Sequence, residues 1–323
     1  MPDPRSAPSD PAPAAALAPP LAGLLAAFAA LYIIWGSTYL AIRFAVETMP
    51  PFTMAGGRFL VAGALLFAWS RARGAAPLTR PQWKTAAIAG VLLLLGGNGL
   101  VSWAEQRVPS GIAALIVAST PMWMALIDWA RPGGLRPRPA VWAGLGLGLA
   151  GIAVLVGPAS LGGAPVDGLG ALAVGAAAFS WALGSIYQRG APVSDSTLLN
   201  VGGQMLAGGA VLVVVGLALG ERVDVAAVSP RSWGALAYLI FVGALVGYSA
   251  YVWLLKVTTS AKASTYAYVN PLVAVVLGWA FAGEALSPRV LVAAALVVVA
   301  VVLITTAGRA PAGSPAAGRG ERA

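Results

Sequence analysis

The chain has 323 residues, of which 59% are hydrophobic and only 10% are charged, and its formal net charge is +9. A soluble domain carries about 25% charged residues, so this composition excludes an ordinary soluble fold and favours an integral membrane protein. Cysteine and histidine are both absent, which excludes disulfides, thiolate or imidazole catalysis and metal sites built from either side chain.

Ten apolar segments, each long enough to cross a bilayer, follow one another with short polar connections between them. A Pro- and Ala-rich lead at 1–20 precedes them and a Pro-, Gly- and Arg-rich tail at 308–323 follows, and both have the composition of disordered segments. The predicted spans are 21–42, 52–70, 84–104, 109–130, 140–157, 168–188, 197–218, 232–255, 262–283 and 288–307. The sequence therefore predicts an all-α integral membrane protein of about ten transmembrane helices.

Basic residues concentrate on one side of the predicted membrane. With the N-terminus in the cytoplasm, 14 of them lie in cytoplasmic segments and 5 on the opposite side, and Arg58 remains inside a span. Cytoplasmic loops of membrane proteins are enriched in Lys and Arg, so we predict that both termini are cytoplasmic. The positive charge lies in separate short loops rather than along one stripe, which argues against nucleic-acid binding.

The two halves of the chain share residues at two nearly equal offsets. The pairs 146 residues apart are Trp35–Trp181, Arg43–Arg189, Gly56–Gly202, Arg58–Gln204 and Gly63–Gly209, and those 150 apart are Gly97–Gly247, Trp103–Trp253, Ser110–Ser260 and Pro121–Pro271. With five helices in each repeat, an odd number, the second copy crosses the membrane in the opposite orientation. Inverted repeats are the architecture of many secondary transporters, whose halves rock about a central site.

Several stretches resemble one known family in their order and spacing. They are Trp35 to Tyr39, Pro51 to Leu60, Ser110 to Pro121, and Tyr268 to Glu284. Over about 24–307 the chain resembles the EamA branch of the drug/metabolite transporter (DMT) superfamily. The resemblance implies two inverted five-helix repeats, at 24–157 and 168–307, a bacterial inner-membrane location and export of small metabolites. One departure is that Gly134 occupies the position related to Glu284.

Arg58 is the most informative charge, and it is a candidate for substrate binding together with its repeat partner Gln204. Arg58 lies about six residues inside its span, where a charge is costly unless it faces protein or water. In a central cavity it would attract carboxylate or phosphate. It is equally compatible with a structural arginine that bonds helix carbonyls or extends to the interface. Because Gln204 is neutral, the site is expected to be asymmetric in charge.

Four further residues are candidates for the same site. Trp35 and Trp181 lie deep in their spans and could form cavity walls. Tyr266 and Asn270 are four residues apart in the ninth span and so share one helix face. An uncharged face of donors and acceptors suits zwitterions, polar metabolites or amphiphilic compounds. The alternative is hydrogen bonding between helices, which is worth about 1 kcal/mol per bond in membranes.

Pro121 and Pro271 lie near the middle of the fourth and ninth spans and are candidates for hinges or gates. Each removes a backbone donor and frees the carbonyl four residues earlier, at Val117 and Ala267. Freed carbonyls at mid-depth can line a polar cavity or let the helix bend. A packing kink with no role in gating is the alternative.

Proton coupling is the least determined property. A proton-driven carrier needs a titratable group that both sides can reach, and every acidic residue near the spans lies at a predicted helix end. Glu105 is the candidate, at the end of the third span. Exchange or facilitated diffusion fits the sequence equally well.

No cofactor or metal is predicted, and no Gly-x-x-x-x-Gly-Lys-Ser/Thr phosphate loop occurs. The expected partners are a small-molecule substrate and membrane lipid, and a homodimer is compatible with the sequence. An intramembrane enzyme acting on lipids or isoprenoids would need acidic clusters or an activated nucleophile within the spans. A scaffold or receptor would need long loops. The sequence therefore favours a secondary transporter, not an enzyme, that moves amino-acid-like or amphiphilic metabolites by alternating access, and the family resemblance implies that it exports them.

Overall fold

The computed structural model describes residues 21–132, 137–156, 166–188, 190–257 and 266–307. Within these ranges the chain forms ten helices and no strand. They are α1 (Leu21–Ala45), α2 (Pro51–Ala72), α3 (Arg80–Ala104), α4 (Ser110–Ala130), α5 (Pro139–Val156), α6 (Gly168–Gln188), α7 (Thr197–Ala218), α8 (230–257), α9 (Tyr266–Ala282) and α10 (Pro288–Ala307). The predicted all-α fold of about ten helices is confirmed.

The predicted span boundaries differ from the observed ones by no more than four residues wherever both are described. Among the described residues six helices have the length and composition to cross a membrane, and the other four, α5 and α8 to α10, contain shorter apolar stretches. The predicted tails at 1–20 and 308–323, the first residues of the ninth span at 262–265, and Gly134 lie outside the described residues.

Proline and glycine set several of the helix ends. Proline occupies the first turn of α2 and α8, where its missing N–H has no intrahelical partner in any case. Gly74 and Gly220 follow α2 and α7 with φ angles of 86° and 83°, a left-handed conformation that favours glycine. They are 146 residues apart, so the same stop signal ends the second helix of each repeat.

The helices pack in a pattern that a two-fold axis would generate. α1 packs on α8 and α9, α6 packs on α3 and α4, and α2 and α5 pack on α7 and α10 respectively. Exchanging the two repeats, so that α1 becomes α6 and α2 becomes α7, converts the two α1 pairs into the two α6 pairs and converts α2–α7 and α5–α10 into themselves. The described helices therefore form two copies of one five-helix unit.

The crossing of α2 and α7 shows that the two copies are inverted. A Cβ on Gly56 would lie 2.8 Å from the main-chain oxygen of Gly209, and one on Gly63 would lie 3.0 Å from that of Gly202. Gly56 is related to Gly202 and Gly63 to Gly209, so the repeat exchanges these two contacts. The numbering rises along α2 as it falls along α7, so equivalent helices run antiparallel.

The bundle has two chemically different ends. α1, α3, α7 and α9 finish at one end, where α2, α4, α8 and α10 begin, and hydrogen bonds join the turns between them. We call it the acidic end, because its turns carry the carboxylates Glu47, Glu105, Glu221 and Glu284. The opposite, basic end is where α1 begins and α10 finishes. The distribution of basic residues predicts that the acidic end faces the periplasm.

We expect that Gly208→Ala will destabilise the fold, because α7 contacts α3 through main-chain atoms at this point. A Cβ on Gly208 would lie 2.6 Å from the oxygen of Gly90, and main chain cannot move aside as a side chain can. Overpacking of this kind costs about 1–3 kcal/mol. The measurement is the melting temperature of the purified protein in detergent.

Gly57→Ala is the matched control for this substitution. An added Cβ at Gly57 meets nothing within 4 Å, and alanine favours helix over glycine by about 1 kcal/mol. Its melting temperature should stay level or rise. Equal melting temperatures for the two variants would contradict the close contact of α3 with α7.

Candidate functional site

One π-helical segment interrupts the third helix of each repeat. The two segments span Val91–Gly99 in α3 and Leu239–Val246 in α8, and they begin 148 residues apart. A π-helical turn widens the backbone and is frequent at functional sites. We therefore take the side chains packed around these two segments as the candidate site.

Trp35 and Trp181 pack at the two segments in equivalent ways. A Cβ on Gly97, inside the α3 segment, would lie 2.8 Å from Cε3 of Trp181, and one on Gly247, just after the α8 segment, would lie 2.5 Å from Nε1 of Trp35. Both the tryptophans and the glycines are repeat-related, so one contact between the repeats occurs twice. Each tryptophan is half-buried, and its role as a cavity wall stays a prediction.

An aromatic cluster brings two of the sequence-predicted residues together. The ring centroid of Trp35 lies 5.0 Å from that of Tyr266 and 5.1 Å from that of Tyr251. The two tyrosine rings are edge-on at 5.9 Å. The cluster joins α1, α8 and α9, and Tyr251 is a member that the sequence did not single out.

Asn270 connects two helices through its side-chain amide. Two main-chain oxygens face this amide, those of Tyr32 on α1 at 3.3 Å and Tyr266 on α9 at 3.2 Å. Only the NH2 group can bond to carbonyl oxygens, so it is the donor at this position. The structure therefore gives Asn270 the interhelical hydrogen bond that the sequence allowed as the alternative to substrate contact.

Arg58 is buried, with 3% of its surface exposed. Its Nη2 donates to Oδ1 of Asn98 at 2.8 Å, and its guanidinium lies 4.4 Å from the ring centroid of Phe59. Seven residues of helix separate Arg58 from the start of α2, which places it about 10 Å below the acidic end. Asn98 was missed from the sequence, although a single amide between Gly97 and Gly99 in an otherwise apolar run could have indicated it.

Gln204, the repeat partner of Arg58, has a different environment in the other half of the bundle. Its Nε2 donates to Oε1 of Gln188 at 2.6 Å, near the basic end, where α6 finishes and α7 begins. Arg58 and Gln204 are thus not brought together. The acidic half contains a buried cation and the basic half a neutral pair of amides.

The two prolines have different surroundings. α4 is interrupted after Val117, and Pro121 lies in the first turn of the segment that follows, Thr120–Ala130. The hydroxyl of Thr120 donates to the Val117 carbonyl at 2.7 Å. A local side chain therefore supplies one hydrogen bond to this carbonyl, and its place in a polar cavity stays a prediction. Pro271 lies inside an uninterrupted α9. Hinge roles for both prolines stay predictions.

Two glutamates from the second repeat cap helices of the first. Oε1 of Glu284 accepts hydrogen bonds from the main-chain nitrogen and the hydroxyl of Ser110, both at 2.7 Å, where α4 begins. Glu221 accepts from the nitrogens of Phe52 and Thr53 at 3.1 and 2.7 Å, where α2 begins. Helix N-termini stabilise carboxylates through their free N–H groups and their dipole. The two caps fasten the repeats together at the acidic end.

Glu105 is the residue directly after α3, outside the span, and none of its surface is exposed. Its main-chain oxygen accepts a hydrogen bond from the guanidinium of Arg43, but both of its carboxylate oxygens are buried without a hydrogen-bond partner. Burial and then the nearby Glu284 raise the pKa of Glu105 well above its ordinary value, against the opposing effects of Arg43 and Arg58. The sequence indicated its place at a helix end but not its burial.

A groove of about 380 Å³ opens between α1, α8 and α9 near the acidic end. Its lining is mostly apolar, with the hydroxyls of Ser37 and Tyr238 2.6 Å apart. Arg231 lies at its rim, 3.5 Å from the ring centroid of Phe44. Within the described ranges, no cluster of three or more metal-ligating side chains occurs.

Comparison with known proteins gives consistent matches along the chain. The sequence model of the EamA-like transporter family matches twice, at 21–157 and 168–306. The "Uncharacterized inner membrane transporter YedA" of Escherichia coli K12 is 43% identical over 285 residues, which cover 87% of this chain and 90% of that protein. The "Uncharacterized transporter YvbV" of Bacillus subtilis is 28% identical, over 89% of this chain and 92% of its own.

Two further matches are more distant or partial. A "Probable amino-acid metabolite efflux pump" of Escherichia coli K12 is 30% identical over 168 residues, which cover 49% of this chain and 50% of that protein. A protein crystal structure superimposes with a TM-score of 0.60 and 26% sequence identity, over 89% of this chain and 98% of the other.

We expect that Glu284→Gln will lower the melting temperature in detergent. The substitution replaces charge-assisted hydrogen bonds at the start of α4 with neutral ones, and hydrogen bonds to charged groups are worth about 1.5–3 kcal/mol. Glu47→Gln is the matched control at the same end, because Glu47 forms an exposed ion pair with Arg231 at 3.5 Å and such pairs contribute about 0–1 kcal/mol. If the melting temperature of Glu47→Gln falls as far as that of Glu284→Gln, the capping role of Glu284 is contradicted.

Proposed function

The chain belongs to the EamA-like transporter family, and we propose that it exports amino-acid-like metabolites across the bacterial inner membrane by alternating access. The family and relatives named as transporters point to a multi-pass transporter of the inner membrane rather than an enzyme. We propose the substrate class, the direction of transport and the transport mechanism from the observations that follow. The acidic end is assigned to the periplasm, with both termini in the cytoplasm, from the distribution of basic residues.

Alternating access is supported by the two-fold relation between the repeats. Each repeat has the same five helices but faces the opposite way, so an exchange of their conformations would open one end and close the other. The contacts of Trp181 with α3 and of Trp35 with α8 are equivalent. They lie where one repeat meets the other, at backbone segments whose helical hydrogen bonding is already irregular.

The substrate class rests on one observation, the buried pair of Arg58 and Asn98. A guanidinium binds carboxylate in a bidentate geometry, and burial strengthens such a contact because water does not compete. A substrate carboxylate at Arg58 would leave Oδ1 of Asn98 to accept from an ammonium group. Trp181 packs beside the neighbouring Gly97, so its ring could contact the same cation. This arrangement suits a zwitterion. The relative named as a probable amino-acid metabolite efflux pump supports the same class.

A second candidate substrate class is favoured by the lateral groove between α1, α8 and α9. Its mostly apolar lining, with Arg231 at the rim and two hydroxyls inside, suits amphiphilic compounds that enter from the lipid. In that case transport would depend on the groove and not on Arg58.

Arg58→Gln should reduce transport of zwitterionic or anionic substrates in proteoliposomes. The substitution installs the residue that the second repeat has at position 204. Loss of a charge-assisted contact of about 1.5–3 kcal/mol corresponds to roughly a ten- to hundredfold fall in kcat/KM. The measurement is counterflow of radiolabelled amino acids, with amphiphilic compounds tested in parallel.

Arg107→Gln is the matched control, because Arg107 is exposed and stacks on Trp103 near the same end. It should transport like the wild type. If Arg58→Gln also matches the wild type, Arg58 does not bind substrate. If the wild type transports amphiphilic compounds but no amino acid, the groove between α1, α8 and α9 is the better candidate for the substrate site.

A further inference from the structure

The carboxylate of Glu105 has no compensating partner although it is completely enclosed. No part of the residue is exposed and both oxygens lack a hydrogen bond. A buried carboxylate that is neither paired nor hydrogen-bonded is strongly disfavoured in its charged form, and such a group takes up a proton instead. We therefore expect Glu105 to be neutral in this structure, in which hydrogen bonds join the turns of the acidic end and no water reaches the carboxylate.

The charged and titratable groups around Glu105 do not change this conclusion. From α1, Arg43 donates to its main-chain oxygen, and Tyr39 is a half-buried tyrosine. From α2, Arg58 bonds to Asn98. Both cations favour the charged form of Glu105, but neither is hydrogen-bonded to its carboxylate, and the effect of burial is larger.

The remaining neighbours are negative or already paired. Glu284, after α9, caps α4 through Ser110 and adds a like charge. Ahead of α6, Asp167 lies 3.9 Å from Arg107 in an exposed ion pair. The electrostatic surroundings of Glu105 are thus set by burial and by the cap that fastens the two repeats.

We propose that Glu105 is a proton-binding site that must be occupied for the acidic end to close. Closure takes one proton from the solution at the acidic end and transfers it to the Glu105 carboxylate. Opening separates the repeats, lets water reach Glu105 and returns that proton to the same solution. The proposal deepens the proposed function, because it rests on an acidic end that opens and closes, but it does not depend on the substrate.

The sign of the pH effect follows from which state prefers the proton. The closed state binds it more tightly than the open state, in which a hydrated Glu105 would titrate in the ordinary range of a glutamate. Closure is therefore fully favoured at low pH and is lost as the pH rises. Above that ordinary range, the ratio of closed to open molecules falls by up to about tenfold per pH unit. An acidic periplasm would return the carrier to its inward-facing state.

Accessibility of an introduced cysteine tests the proposal directly, because the natural chain has none. Ser102→Cys places a thiol one helical turn before Glu105, at a position with no exposed surface. Its rate of labelling by a charged methanethiosulfonate is measured in nanodiscs from pH 5 to 9. Rates are divided by those of Ala226→Cys, an exposed position at the same end, to correct for ionisation of the thiol.

In the wild-type background the corrected rate should rise with pH, at most about tenfold per unit. With Glu105→Gln, a neutral mimic of the protonated acid, it should be low and independent of pH. Glu47→Gln should keep the wild-type response. If Glu105→Gln does not fold, Glu105→Leu provides the same test, because leucine occupies the repeat-related position 255.

A rate that does not change with pH in the wild-type background would overturn the proposal. A pH response that persists in Glu105→Gln or Glu105→Leu would do the same. Because no substrate is present, either result would leave the transport proposal to be judged by its own counterflow assay.

Discussion

The fold depends on the close approach of α2 to α7. In lipid no hydrophobic force brings helices together, so small residues that allow backbones to touch provide the packing. Two such backbone contacts, related by the axis between the repeats, join α2 to α7: Gly56 packs against Gly209 and Gly63 against Gly202. A larger side chain at any of these positions would separate the repeats. The contact also fixes their antiparallel relation, on which the equivalence of the two tryptophan contacts depends.

We expect the functional residues to lie where the two repeats differ from each other. The backbone is close to symmetric, yet Arg58 is matched by Gln204 and Glu105 by Leu255. The cation, the buried acid and the two carboxylate caps all lie in the acidic half of the described structure. A two-fold symmetric scaffold can adopt two conformations of similar energy that the same rotation relates. The asymmetric charges can then bias that equilibrium and recognise a charged substrate. This division accounts for packing residues such as Gly56 and Trp35 having equivalents in the other repeat, while Arg58 and Glu105 have none.

The helices were predictable from the sequence because lipid imposes long apolar runs, and each described end lies within four residues of its predicted place. The pairing of Trp35 with Trp181 and of Gly97 with Gly247 was visible as repeat spacing, but their mutual contact was not. The π segments and the cap by Glu284 depend on partners distant in sequence, which no local pattern reveals. Likewise, Glu105 occupies its predicted helix end, but its burial results from several helices meeting around it.

Distances between spin labels at the two ends would test the central claim, the alternating opening of the two repeats. Cysteines at Gln106 and Ala226 report on the acidic end, and cysteines at Arg73 and Asp195 on the basic end, all at exposed positions in opposite repeats. On adding a transported substrate, the account predicts that one distance lengthens while the other shortens. Distances that change together, or that do not change at either end while transport proceeds, would contradict it.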